Sequence, residues 1–252
     1  MKLLTVDTAT KVSALALAEN GNLVGEVFLH PGKSHSERLI PMLEHLLQVA
    51  AWRIEDLDLI GVVRGPGSFT GIRIGIATAQ GLAHVLQLPV VGVLSLESLA
   101  WAGYGRAEEV IPILDARKNE WYTAVYRWQD PGGGVRGTIT GSGQPAFACV
   151  SAPQAIQPER WLTELVSREG RFLFVGDGAG KYRRMIEQAL GPRGIVLPEY
   201  ISLPRGAYTV NAVWQKWLDQ GAGDVIEPYY IRCSEAEVNW AKKQEEQGRN
   251  QG

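Results

Sequence analysis

Apolar and polar positions in the first part of the chain follow two different periods. Three β-prone runs come first, and the Asn20-Gly21 pair between the second and the third predicts a tight hairpin. Apolar residues then recur at helical spacing, followed by a buried strand and a second helix. The predicted order is therefore βββαβα, with strands at 3–8, 12–18, 23–29 and 56–63 and helices at 36–50 and 71–86.

The second part of the chain repeats this order. Two β-prone runs precede a glycine-rich turn at 132–134, and a third strand is predicted after it at 136–140. Helix, strand and helix then return, and one more amphipathic helix follows. These elements are strands at 109–116, 120–128 and 171–176 and helices at 159–169, 181–190 and 206–219. The repeat predicts an α/β fold built from two ribonuclease-H-like, actin-like βββαβα lobes.

The pattern also divides the chain into segments. We expect an N-terminal lobe with partner-binding helices at 1–103 and a C-terminal lobe at 104–205. A return helix and terminal segment at 206–240 should pack on the lobes. The polar residues 241–252 have the composition of a disordered tail.

Composition narrows the classes of function. The 252 residues are 45% hydrophobic and 21% charged, enough for a sizeable core, and the net charge is −2. Without a general basic surface, the chain is not expected to supply an RNA-binding footprint alone, which favours work in an assembly. No run of about 18 apolar residues and no secretory h-region is present, so we expect a cytoplasmic protein without membrane contact. Cys149 and Cys233 have no second metal ligand nearby and are interpreted as packing residues.

The glycine-rich segment 65–75 lies between a buried strand and a helix, where phosphate-binding loops occur. No Lys-Ser/Thr pair follows Gly71, so the P-loop pattern fails, and the glycine spacing does not fit G-x-G-x-x-G. Ser68 lacks the flanking glycines of a nucleophile elbow. We therefore predict a structural joint, with Ser68 or Thr70 capping the new helix.

The helix after this joint carries a row of small residues. Gly71, Gly75, Ala79 and Ala83 recur every four residues, so another helix could approach them closely. The preceding helix also has more apolar residues than one buried stripe requires. One hypothesis is a helix-pair interface with a second protein, formed by Leu39, Leu43, Leu46, Gly71, Gly75, Ala79 and Ala83. The alternative is that both helices lie deep inside the chain itself.

Six motifs in a shared order span nearly the whole chain and resemble the TsaB family. They are DTAT at 7–10, HSERLIPML at 35–43, GPGSFTGIRIG at 65–75, ILDARKNEWY at 113–122, VGDGAGKY at 175–182 and PYYIRCSEAE at 228–237. The resemblance implies an actin-like, two-lobed, non-catalytic subunit. Such a chain would form a heterodimer with a TsaD-like catalytic subunit and join a TsaE-like ATPase in the complex that makes threonylcarbamoyladenosine beside the tRNA anticodon. It would contact tRNA indirectly and could form a homodimer when alone.

Comparison with TsaD-like proteins also indicates which chemistry is missing. Where those proteins carry a His-x-x-x-His metal motif, this chain has Ser95 and Leu99, which cannot replace imidazole ligands. Asp7 and Asp115 stand where actin-like ATPases hold metal and phosphate, yet Asp7 lacks the glycines of a phosphate loop. We therefore expect no catalytic, cofactor-binding or metal residues. The alternative is a self-sufficient actin-like ATPase or a peptidase-like enzyme, for which Ser68 and His35 are unlinked candidates.

Overall fold

The computed structural model describes residues 1–30, 35–105, 109–129, 146–221 and 225–232. In these ranges the strands are β1 Lys2–Asp7, β2 Ser13–Glu19, β3 Asn22–Leu29, β4 Leu59–Val63, β5 Val90–Val93, β6 Glu109–Asp115, β7 Trp121–Gln129, β8 Ala146–Ile156, β9 Phe172–Val175 and β10 Gly194–Val196. The α-helices are α1 His35–Val49, α2 Phe69–Leu86, α3 Ser95–Ala100, α4 Pro158–Val166, α5 Asp177–Lys181, α6 Arg183–Leu190, α7 Glu199–Ser202 and α8 Gly206–Gln220.

The N-terminal lobe contains a five-stranded sheet in the order β3-β2-β1-β4-β5. Strands β1 to β3 form an antiparallel meander, and β4 and β5 continue the sheet in parallel with β1. Asn20 and Gly21 both have positive φ, of 51° and 80°, which confirms the hairpin predicted from this pair.

The C-terminal lobe contains a second five-stranded sheet in the order β10-β9-β6-β7-β8. Taken from the other edge, this is the same arrangement as the first sheet, so the prediction of two related actin-like lobes is confirmed. The strand paired with β7 is β8, at Ala146–Ile156. The strand predicted at 136–140, the turn at 132–134 and the tail at 241–252 lie outside the described residues.

Helices cover both faces of the N-terminal sheet. Helices α1 and α2 pack side by side on one face, and α8 packs across the other. A side chain at Gly61 of β4 would lie 2.5 Å from Val213 of α8, so glycine there allows the helix to approach the sheet closely. The return helix therefore completes the core of the N-terminal lobe, although it follows the C-terminal lobe in sequence.

The two lobes meet through α3 and α8. Helix α3 packs on β6 and β7 of the C-terminal sheet, while α4 and α6 contribute to the core on its other face. Ser98 of α3 and Thr209 of α8 share a buried hydrogen bond of 3.0 Å. Within the described ranges, no helix combines the length and apolar character that crossing a bilayer requires.

Candidate partner surface and interlobe cleft

The residues predicted to form a partner interface lie inside the monomer. All seven are buried, and Ala79 at the centre of the small-residue row has no exposed surface. The leucines of α1 face β2 and β3, and the glycines and alanines of α2 face β1 and β4. This corrects the expectation that the row is open to a second protein. The buried residues are Leu39, Leu43, Leu46, Gly71, Gly75, Ala79 and Ala83.

Thr8, just after β1, explains why the first two residues of the row are glycines. A Cβ at Gly71 would lie 2.1 Å from the Thr8 carbonyl oxygen, and one at Gly75 would lie 2.4 Å from Thr8 Oγ1. The Thr8 hydroxyl donates a 2.7 Å hydrogen bond to the Gly71 carbonyl oxygen. Four-residue spacing shows that the four residues share a face of α2, but this face packs on the chain's own sheet, and its two glycines meet Thr8 at the end of β1.

The opposite sides of the neighbouring helices α1 and α2 carry exposed residues, and together they are called here the outward face. Val49 and Val85 are 71% and 78% exposed, although apolar side chains of this size are usually buried. A Cβ at Gly81 would meet nothing within 4 Å. The outward face consists of Ile40, Glu44, Val49, Arg73, Ala77, Gly81 and Val85.

The glycine-rich joint has a structural role in the described geometry. Ser68 is the N-cap of α2, and its hydroxyl oxygen accepts a 3.2 Å hydrogen bond from the Gly71 amide, as predicted. The Ser68 amide donates to the Ala9 carbonyl oxygen at 2.7 Å. A Cβ at Gly67 would lie 2.1 Å from that same oxygen. The joint thus holds the first turn of α2 against the β1–β2 connection.

A cleft of about 680 Å³ lies between the lobes, at the carboxyl ends of the parallel strands. Ligands of open α/β sheets bind at such strand ends, so the residues that line this cleft are the candidates for catalytic chemistry. Its walls come from the β1–β2 connection, the start of α2, the β6–β7 turn, Asp177 and residues 229–232.

The two aspartates singled out in sequence accept hydrogen bonds from their own lobes. Asp7 is 3% exposed, and its carboxylate accepts a 2.9 Å bond from the Ala9 amide. Burial raises the pKa of Asp7 to about 6, against the lowering effect of that bond. Asp115 accepts from the Arg117 amide at 2.9 Å and pairs with Lys181 at 2.7 Å. Burial raises the pKa of Asp115, but the contacts with Lys181 and Arg117 outweigh it and hold this pKa below its usual value.

Ser68 and His35 do not form a nucleophile and base pair. His35 Nε2 lies 2.9 Å from the Thr10 carbonyl oxygen, an acceptor, so this nitrogen carries the proton. His35 Nδ1 then accepts from the Ser13 hydroxyl at 2.6 Å. Burial lowers the pKa of His35, against the effect of the Thr10 contact, which favours this neutral form. Both ring nitrogens are therefore engaged by Thr10 and Ser13 on the wall of the cleft.

Ser95 and Leu99 are both buried on α3. The Ser95 amide donates to the Gly65 carbonyl oxygen at 2.8 Å, and Leu99 packs in the core that α3 shares with the C-terminal sheet. In the part of the chain that the structure describes, His, Cys, Asp and Glu side chains nowhere gather in a group of three that could hold a metal ion.

Sequence patterns identified the PYYIRCSEAE motif but assigned it no contacts. The structure brings its tyrosines and Arg232 to the mouth of the cleft, where Tyr230 stacks on Phe69 and Arg232 pairs with Glu120 of the opposite lobe. In the sequence, the feature that marked this motif was a pair of adjacent tyrosines after a proline. Their partners are more than 100 residues away in the chain, so spacing could not identify them.

A family model and several named relatives connect this chain with tRNA threonylcarbamoyladenosine biosynthesis. A family model described as TsaD, tRNA N6-adenosine threonylcarbamoyltransferase, matches residues 29–240. The tRNA threonylcarbamoyladenosine biosynthesis protein TsaB of Bacillus subtilis is 31% identical over 246 residues, 97% of this chain and 100% of that protein. The protein of the same name from Haemophilus influenzae is 29% identical over 96% of this chain and 97% of its own length.

A solved structure supports the same relationship. YeaZ from Pseudomonas aeruginosa has a TM-score of 0.72 with 28% identity, over 92% of this chain and 99% of that one. Agreement in sequence and in architecture thus extends across both lobes. The chain therefore belongs to the TsaB family of tRNA threonylcarbamoyladenosine biosynthesis proteins, within the wider group matched by the TsaD model.

Proposed function

We propose that this chain is a non-catalytic subunit that binds a TsaD-like catalytic subunit in the complex that makes threonylcarbamoyladenosine in tRNA. Three relatives are named as tRNA threonylcarbamoyladenosine biosynthesis proteins, and these names state no catalytic activity. The TsaD model covers both lobes. Ser95 and Leu99, which stand where the resemblance places the histidine pair of TsaD-like proteins, are both buried. A chain that has this architecture but lacks the two histidine ligands could bind the TsaD-like catalytic subunit without carrying out the reaction itself.

The outward face of α1 and α2 supports this proposal as a docking surface. It combines large exposed apolar side chains with Ala77 and Gly81 on neighbouring turns of α2. Small residues let a second helix approach a helix axis closely, while the flanking valines and Ile40 add apolar area on contact. We propose that a TsaD-like subunit packs here to form a heterodimer, on the same helices that the sequence indicated but on their other sides.

The remaining partners follow from this arrangement. With a net charge of −2, this chain would contact tRNA indirectly, through the catalytic subunit. A TsaE-like ATPase would complete the assembly. In the absence of these partners, the same outward face could pair with a second copy of itself around a two-fold axis, as a substitute contact.

Gly81→Leu tests the docking surface without disturbing the monomer, because the new side chain enters open space. Gly180→Leu is the matched control, since its Cβ also meets nothing within 4 Å and it lies in the C-terminal lobe. Each variant is co-expressed with the TsaD-like protein of the same organism, and complex formation is measured by gel filtration. We expect Gly81→Leu to lose the complex and Gly180→Leu to keep it. Equal binding by both variants would contradict the proposed surface.

Modification assays test the role itself. Threonylcarbamoyladenosine formation is measured with the TsaD-like and TsaE-like proteins, with and without this chain. We expect activity to depend on the chain; full activity without it would refute the subunit role.

The alternative, a self-sufficient ATPase or peptidase-like enzyme, is tested separately by calorimetry with ATP and Mg²⁺ and by product analysis. The engaged His35 and Asp115 side chains argue against it.

A further inference from the structure

Residues 225–232, called here the terminal strap, run from the N-terminal lobe to the mouth of the cleft. At its start, Ile226 packs in the core of the N-terminal lobe beside Gly92 of β5. Gln80 of α2 donates a 3.1 Å hydrogen bond to the Ile226 carbonyl oxygen. This end of the strap is thus anchored in the N-terminal lobe through both packing and a hydrogen bond.

The middle of the strap lies on the glycine-rich joint and the first turn of α2. The Tyr229 amide donates to the Arg64 carbonyl oxygen at 2.7 Å. The Tyr230 ring stacks on Phe69 with centroids 4.8 Å apart, and its hydroxyl accepts a 2.9 Å bond from Arg73 Nε. The Arg73 guanidinium also lies 3.9 Å from the centre of the Phe69 ring, so it contacts both rings.

The far end of the strap reaches the other lobe. The Arg232 guanidinium pairs with the Glu120 carboxylate and donates to the Ala116 carbonyl oxygen at 3.5 Å. Both acceptors belong to the β6–β7 turn, in which residues 117–119 all have positive φ. Arg232 and Glu120 are each about one third exposed, at 29% and 31%, so the pair remains within reach of solvent.

We propose that the terminal strap is a clasp that fixes the angle between the two lobes and the width of the cleft. Between the lobes, α3 and α8 are packed against each other, and bending at such a packed region would open a two-lobed molecule. The strap spans the cleft mouth, where opening would separate Glu120 from the N-terminal lobe. The lobe angle is therefore set by a segment of the chain itself. This inference does not depend on the proposed partner.

Distance measurement between spin labels tests the clasp in the isolated chain. Labels are placed on Gln48→Cys in α1 and Glu187→Cys in α6, both exposed, after Cys149→Ser and Cys233→Ser. We expect one narrow distance distribution for the parent and a broader one, with a longer mean, for Arg232→Glu. Glu120→Arg in the same chain should restore the narrow distribution, because the ion pair is re-formed with its charges exchanged.

Two further variants make the outcome decisive. Arg160→Ala removes the Arg160–Glu164 pair within α4, so it loses an ion pair without touching the cleft and should match the parent. Tyr230→Ala with Arg232→Ala should raise amide exchange in the β6–β7 turn about tenfold. The proposal is overturned if Arg232→Glu and the double alanine variant keep the parent distribution. It is also overturned if they lose their circular dichroism spectrum, since a clasp joins lobes that are already folded.

Discussion

Gly75 and Gly81 of α2 allow the inward and outward sides of one helix to be compared by the same small change. Gly75→Ala places a methyl group 2.4 Å from Thr8 Oγ1, a buried atom on a stiff β-branched side chain. Gly81→Ala places the same group in open space. Both glycines lie inside the helix, so both gain the same intrinsic propensity from alanine.

The two changes should therefore have opposite effects on the free energy of unfolding. Alanine is about 1 kcal/mol more favourable than glycine inside a helix, so Gly81→Ala should stabilise by about that amount. At Gly75 the same gain is opposed by overpacking of about 1–3 kcal/mol. Displacing Thr8 also weakens its buried 2.7 Å bond to Gly71, which costs roughly 1 kcal/mol or more. The net effect of Gly75→Ala is destabilisation by about 2 kcal/mol.

Thermal unfolding followed by circular dichroism measures both variants. For a chain of this size, 1 kcal/mol corresponds to about 2–4 °C in Tm. We expect Gly81→Ala to raise Tm by a few degrees and Gly75→Ala to lower it by about 5 °C. Thr8→Ser, which removes the methyl group but keeps the hydroxyl, should not repair Gly75→Ala fully, because Oγ1 is the atom in contact. Equal Tm values for the two alanine variants would refute the assignment of the inward and outward sides.

Two more predictions concern the interior of the N-terminal lobe. Gly61→Ala should lower the free energy of unfolding by about 1–3 kcal/mol, since its methyl group would lie 2.5 Å from Val213. Val213→Ala in the same chain should recover part of this loss. Urea unfolding that shows no recovery would contradict the contact. Asp7 has a folded pKa of about 6, above its ordinary 3.8, so its ionised form opposes folding and the penalty grows as pH rises from about 4 through 6. Asp7→Asn should therefore be more stable than the parent at pH 7.5, by about 3 kcal/mol, with the difference vanishing near pH 4. A constant difference across this range would show that titration is not its cause.

The sequence by itself determined most of the architecture. Period-two runs, helical spacing and the Asn20-Gly21 turn predicted the main elements of both lobes, because these patterns depend on neighbouring residues and on one buried side per element. Strand β8, at Ala146–Ile156, was not assigned from the sequence. Motifs in shared order identified the family, and Ser68 or Thr70 was expected to cap α2, a role that the structure gives to Ser68. The short strands β5 and β10 were not assigned as sheet members, since strands of four and three residues give too little periodicity.

Only the tertiary structure decided which surface each element meets. Spacing put Gly71, Gly75, Ala79 and Ala83 on one side of α2, but the packing of the whole lobe decided whether that side met the chain or a partner. Its two glycines, for example, meet Thr8, more than 60 residues earlier. The contacts of the terminal strap depended likewise on residues of both lobes brought together by folding. Local patterns indicate that a residue is buried, whereas the residues that it contacts are set by the packing of elements distant in the chain. That packing placed the small-residue row in the core and Gly81 on the surface.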